Sequence, residues 1–259
     1  MAYQTLLTNL ENGIFTVTIN RPEKLNALNK EVFKDLEKVL QEITENPEIK
    51  SVIITGSGNK AFVAGADITE FAGLSIEEGK NLARNGQNIF FKIEQCSKPI
   101  VACINGFALG GGCELAMACH FRIAAENAKF GQPEVNLGLI PGYGGTQRLT
   151  QLIGKGRAIE LLITGQMINA TTALQYGLVN YIVPQEELMS KAIGILDTIN
   201  TKAPIAVSAC ISAANAAWDE TINGYEIEIA QFGKCIGTND MKEGTSAFLE
   251  KRKPVFKGH

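Results

Sequence analysis

The chain is poor in histidine. His120 and His259 are its two histidines in 259 residues. A zinc site built on histidine is therefore not expected. A Ser-His-Asp triad would have to use His120, which lies in a run of small apolar residues, or the last residue of the chain. Metal-style cysteine spacing is missing too. The six cysteines (Cys96, Cys103, Cys113, Cys119, Cys210, Cys235) include no C-x-x-C pair, and most stand in apolar surroundings. Reduced thiols in a cytoplasmic protein are the expectation. No uninterrupted apolar run approaches the roughly 18 residues of a membrane span. Residues Met1–Thr5 carry neither a basic segment nor an Arg-rich amphipathic pattern, so no export or transit signal is expected. There is no surplus of positive charge. The formal net charge is −3 and no long basic stripe occurs, which argues against nucleic acid or an anionic membrane as partner.

What is present is an ordinary globular composition, 45% hydrophobic and 20% charged. The length suits one large domain, or a core with a small appendage, and needs no disulfides. The stretch Val101–His120 organises the rest. Its apolar run Ile100–Ile104, introduced by Lys98-Pro99, reads as a strand buried on both faces. Asn105-Gly106 breaks it. Gly110, Gly111 and Gly112 follow, then Cys113–Cys119 with helical character. Glycines before a helix let the backbone come close to a ligand. The helix start offers N–H groups without intrahelical partners, and these can hold a developing oxyanion. Glu114 falls in the first turn beside those donors. The plainer alternative is tight strand–helix packing, with Glu114 as a helix-end charge.

In chain order, Thr5–Leu10 and Ile14–Asn20 alternate around Glu11-Asn12-Gly13, a hairpin signal. A turn-rich loop Arg21–Leu28 leads to a helix over Lys30–Asn46 capped by Asn29, with Val32, Phe33, Leu36, Val39, Leu40 and Ile43 on one face. Ser51–Thr55 is a strand. The Gly56-Ser57-Gly58 that follows is not a dinucleotide fingerprint, because no amphipathic helix opens there. Small residues in Ala61–Phe71 again suggest a closely approached backbone, or a loop packed under a helix. A helix is expected over Ile76–Glu94 and a strand over Phe121–Ala124. Gly131–Thr146 is too apolar for a linker and should fold against the core. Pro133 constrains the approach to Glu134. Leu178–Val183 reads as a strand, Glu186–Asn200 as a helix, and only helices follow. This is an α/β core with a helical C-terminal appendage.

The chain resembles the crotonase (enoyl-CoA hydratase) superfamily. The resemblance rests on Arg21–Leu28, Phe62–Ile68, Asn105–Glu114, Phe130–Leu149 and Phe248–Arg252, in family order over essentially the whole chain. It implies a spiral of ββα units over residues 1–199 and a C-terminal all-helical trimerisation region over 200–259, as a trimer or a dimer of trimers. It implies an oxyanion hole from the Ala66 and Gly111 amides, with Glu114 and Glu134 as the catalytic pair. CoA is expected along Lys24, Leu25, Ala64, Ala66, Asp67, Ile68 and Gly111, with Phe248 and Lys251 of the tail contributing from a neighbouring subunit. The implied activity is hydration of a 2-enoyl-CoA to a 3-hydroxyacyl-CoA in acyl-CoA metabolism, with no metal and no cofactor beyond the substrate's own CoA. An enoyl-CoA isomerase and an RNA-binding relative are the alternatives; two retained glutamates weigh against the first and the acidic balance against the second. His120 stands where relatives often carry an acid, and reads as packing. Thr69 stands where relatives often carry a base, which weakens a CoA contact there. Leu74, Phe90, Phe107 and Tyr143 are candidates for acyl pocket or core.

Overall fold

The computed structural model describes residues 3–259. It opens with the hairpin β1 (Leu6–Glu11) and β2 (Ile14–Ile19). Asn12 and Gly13 take φ of 51° and 81°, the doubly left-handed turn that matches the twist of paired strands. The alternation expected for β1 gives it no second buried residue: only Leu6 is covered, because β1 is an edge strand. Helix α1 (Lys30–Glu45) begins where Asn29 Oδ1 accepts from the Val32 N–H at 3.0 Å. Its apolar stripe is buried, and Phe33 is half-buried beside it.

The next three turns of chain repeat one plan. The first is β3 (Ser51–Gly56), β4 (Ala61–Val63) and α2 (Ile76–Glu94). The second is β5 (Ile100–Ile104), β6 (Phe107–Leu109) and α3 (Gly111–Ala118). The third is β7 (Phe121–Ala125), β8 (Lys129–Gly131) and α4 (Gly145–Ile153). In each turn the first strand joins one sheet and the second strand joins another. Among the described residues, β3, β5 and β7 lie side by side and parallel in the large sheet. Strands β4, β6 and β8 lie side by side and parallel in the small one. The result is the expected spiral of ββα units.

Helix α5 (Lys155–Thr164), strand β9 (Met167–Asn169), helix α6 (Ala170–Tyr176) and strand β10 (Tyr181–Val183) complete the two sheets. Strand β10 is shorter than expected. Leu178 and Val179 direct their N–H groups to the Ala173 carbonyl at the end of α6, so they cannot pair in the ladder. Helix α7 (Leu188–Asn200) covers the far face of the large sheet, through Leu188, Ala192 and Leu196 against Ile53, Val101, Cys103 and Ile123. That second cover explains why β5 is apolar throughout. Helices α8 (Pro204–Ala216), α9 (Gly224–Ile236) and α10 (Asn239–Leu249) end the chain. No helix among the described residues is long and apolar enough to cross a membrane.

Candidate active site

Strands β4, β6 and β8 of the small sheet run parallel, so their C-terminal ends lie together at one edge, where ligands of α/β proteins commonly bind. Each end delivers one piece of the site. Past β4 come Ala64, Gly65 and Ala66. Past β6 come Gly110 and the first residue of α3, Gly111. Past β8 come Gln132, Pro133 and Glu134. All but Gln132 line one cavity of about 680 Å³, together with Glu114.

The local backbone prepares both expected donors. Leu28 forms an isolated parallel bridge with Ala66, in which the Leu28 N–H donates to the Gly65 carbonyl and the Asp67 N–H to the Leu28 carbonyl. That pattern uses the neighbours of Ala66 and leaves its own N–H over. Gly111 is the first residue of α3, where amides have no intrahelical acceptor. Among the described residues, neither the Ala66 nor the Gly111 N–H has a hydrogen-bond partner. Gly110 turns the chain between β6 and α3 with φ 48° and ψ −123°, a conformation closed to L side chains.

Glu114 is 1% exposed. Its Oε1 accepts from the Tyr143 N–H at 2.8 Å and the Gly145 N–H at 2.7 Å, at the start of α4. Burial and the neighbouring Glu134 push its carboxyl up to about 7 against those two hydrogen bonds. Glu134 follows Pro133 in a short 3₁₀ turn, Pro133–Leu137, and burial pushes it to about 7 as well. A Cβ at Gly110 would fall 2.7 Å from Glu134 Oε1, so this glycine leaves room for the carboxyl. Buried Gln132 faces Glu134; with its amide nitrogen turned to the carboxylate, it donates to Oε1 and Oε2 at 3.1 and 3.2 Å. Arg148 is buried, pairs with Glu94 at 2.7 Å and donates to the Tyr143 carbonyl at 3.0 Å. It thereby fixes the peptide whose neighbour holds Glu114.

The structure brings together much of the expected binding set. Ala64, Ala66, Ile68 and Gly111 line the cavity. Leu25 lies next to Ala64, whose N–H donates to the Leu25 carbonyl at 3.0 Å, so the two segments expected along CoA are zipped together. Lys24 ends a 3₁₀ turn directly before Leu25 and does not line the cavity. The Asp67 carboxylate is occupied locally. It pairs with Arg21 at 3.1 Å and accepts from Thr69 Oγ1 at 2.7 Å, and Asp67 does not line the cavity. Phe248 and Lys251, on and beyond α10, do not reach the cavity of their own chain. Of the four pocket candidates, Leu74 and Tyr143 line the cavity, Phe90 is core and Phe107 sits half-exposed away from it. His120 is a strand tie. Its Nδ1 accepts from the Ile100 N–H at 2.8 Å, which leaves Nε2 to donate to the Glu94 carbonyl at 3.1 Å.

Gln132, Arg148 and the amides of Tyr143 and Gly145 are absent from the sequence reading. One signal was available for the last. Glycines at 144 and 145 opening a helix mark a close approach, and a Cβ at Gly145 would sit 2.9 Å from Glu114 Cγ.

One buried and one half-buried glutamate, both of raised proton affinity, face a largely apolar cavity with two unpaired amides, an arrangement suited to acid–base chemistry in a spiral α/β fold. The enoyl-CoA hydratase/isomerase family profile matches residues 9–259. The chain is 48% identical over 257 residues to a crotonyl-CoA hydratase of Syntrophomonas wolfei, covering 99% of both chains. It is 46% identical over 254 residues to a short-chain-enoyl-CoA hydratase of Clostridium acetobutylicum, covering 98% of this chain and 97% of that one. A crystal structure of an enoyl-CoA hydratase from Bacillus anthracis superposes with a TM-score of 0.93 at 41% identity, over 99% of this chain and 100% of the other. The chain belongs to the enoyl-CoA hydratase/isomerase family.

Proposed function

We propose that the protein hydrates trans-2-enoyl-CoA reversibly to 3-hydroxyacyl-CoA, with Glu114 and Glu134 handling the protons and the Ala66 and Gly111 amides holding the thioester oxygen. The observation that carries this reading is the pair of glutamates on one cavity with the two free N–H groups. Attack on C3 of a conjugated enoyl thioester moves an electron pair onto the thioester oxygen. Two preorganised donors stabilise that enolate, by roughly 3–4 kcal/mol each. Ionised Glu114 takes one proton from water as the hydroxyl bonds to C3. Protonated Glu134 delivers its proton to C2 as the enolate collapses. The pair ends with its single proton on the other carboxyl, and the reverse reaction uses the same groups with roles exchanged. Both carboxyls act from one side of the alkene, so the addition is syn.

The fixed backbone bonds to Glu114 suit the residue that aims a water. Glu134, half-buried and less held by the main chain, suits the residue that meets C2. The reading calls for no cofactor beyond the CoA of the substrate. CoA runs along Leu25 and Ala64–Ile68, and a neighbouring subunit supplies Phe248 and Lys251. Residues 200–259 are the region of self-association. The test is the fall in enoyl-thioester absorbance near 260 nm on adding protein to crotonyl-CoA. A steady absorbance with no 3-hydroxybutyryl-CoA by mass would refute the activity.

A further inference from the structure

Arg148 sits where a cation is least expected. It is the fourth residue of α4, close to the positive end of that helix, and it is 4% exposed. A buried ion pair is weak evidence for stability, so its pairing with Glu94 does not by itself account for the placement. The other contacts do. The guanidinium folds back over Gly144, whose φ is 104° and where a Cβ would overlap Nη1. Nη1 donates to the Tyr143 carbonyl at 3.0 Å and Nη2 to the Glu94 carboxylate at 2.7 Å. That carbonyl belongs to the peptide lying between the two whose N–H groups, of Tyr143 and Gly145, hold Glu114 Oε1. Turning this one peptide would swing both donors off the carboxylate. Glu94 is anchored in its turn. It ends α2, and its carbonyl accepts from His120 Nε2 at 3.1 Å and from Asn215 Nδ2 of α8 at 2.6 Å.

We propose that Arg148, held by Glu94, is the positioning residue that aims Glu114 at the attacking water. The inference rests on the hydratase reading. The loop Pro141–Gly145 cannot hold itself, because Gly142, Gly144 and Gly145 leave it many conformations. A planar guanidinium spans an acceptor on this loop and another at the end of α2, which the single ammonium of a lysine does not match. The charge acts on the same carboxylate. Glu134 opposes ionisation of Glu114, burial keeps Cys113 and Tyr143 protonated, and Arg148 is the cation that favours it. Neither Arg148 nor Glu94 lines the cavity, so both act through Glu114 and not on the substrate.

The test is crotonyl-CoA hydration from about pH 5 to 9 by Arg148→Met, Arg148→Lys, Glu94→Ala and Glu94→Gln, each checked for folding by thermal melt. Both Arg148 variants should lose about 10- to 100-fold in kcat, with KM within about twofold of the unaltered enzyme. In Arg148→Met the acidic limb of kcat/KM should move up by roughly half a pH unit or more, because a base deprived of its cation ionises later. Glu94→Gln keeps an acceptor for Nη2 and should retain most of the turnover that Glu94→Ala loses. Native kcat in Arg148→Met, a loss carried by KM, or an acidic limb that stays in place overturns the proposal. Glu94 is partly exposed, so its variants decide the matter if the Arg148 variants fail to fold: native kcat in Glu94→Ala then overturns it. In each case turnover by the unaltered enzyme leaves the hydratase reading standing, and its absence overturns both.

Discussion

Glu114 and Glu134 hold protons at a pH where ordinary glutamates, with pKa near 4.3, have lost them. Between about pH 4 and 7 the folded chain therefore binds more protons than the unfolded one. Stability from this source is present below the unfolded pKa and is lost as pH rises through the folded values. Glu134→Gln removes the burial of a charge that the fold poorly accommodates. It should raise Tm by about 2–4 °C at pH 8, with little change at pH 4.5, in paired thermal melts. The same variant, and Glu114→Gln, should lose at least about 1,000-fold in crotonyl-CoA turnover. Near-normal turnover by either would remove that residue from the mechanism. One proton on two carboxyls also predicts that kcat/KM peaks near pH 7 and declines on both sides. A profile flat from pH 5 to 9 would contradict a shared proton.

Helix α3 shows how an element can matter more than its residues. It is buried on every side, so it has no amphipathic stripe to announce it, and its glycines mark it instead. A Cβ on Gly112 would overlap the Val63 carbonyl and side chain. Close contact there sets the distance between the helix that presents Gly111 and the strand that leads to Ala66. Gly112→Ala should cost about 1–3 kcal/mol in urea denaturation, as overpacking does. Its turnover should fall much further than that loss of folded protein explains, because the two donors are forced apart. Helices α1 and α2 were legible from their 3.6-residue stripes, and α1 also from its cap, Asn29; the reciprocal Ser75–Glu78 bonds that open α2 are a finding of the structure. Strands β6 and β9 were not. Three residues cannot display an alternation, and pairing across the small sheet is what makes them strands.

Over the whole molecule, burial is uneven. Helix α9 has no buried residue, and its Tyr225, Ile229 and Phe232 are 82%, 64% and 68% exposed. Trp218 and Phe248 stand equally bare nearby in sequence. A surface so apolar fits a subunit interface. It also fits the expectation that Phe248 and Lys251 serve a neighbour's substrate, since neither reaches its own cavity. Ile229→Asp combined with Phe232→Glu should lower the mass measured by light scattering from that of a trimer or hexamer toward a monomer, and raise KM for crotonyl-CoA. An unaltered mass of one chain in the native protein would exclude the assembly.

By itself the sequence determined which residue types exist to do chemistry, and in which short segments. The glycines at 110–112 ahead of a helix, with Glu114 in its first turn, offered a backbone-held oxyanion or tight packing as readings, and the resemblance to the crotonase superfamily added Glu134 as the implied second carboxylate. Those are local properties, carried by residue identity and by spacing within a turn or a helix. Tertiary structure decided the rest. It aligned three strand ends that lie dozens of residues apart, left the Ala66 amide over from a single bridge to Leu28, and set Glu114 on the amides of Tyr143 and Gly145. It also decided how tightly the glutamates hold their protons and which residues line the cavity, because burial and lining depend on packing between distant segments, which residue spacing does not encode.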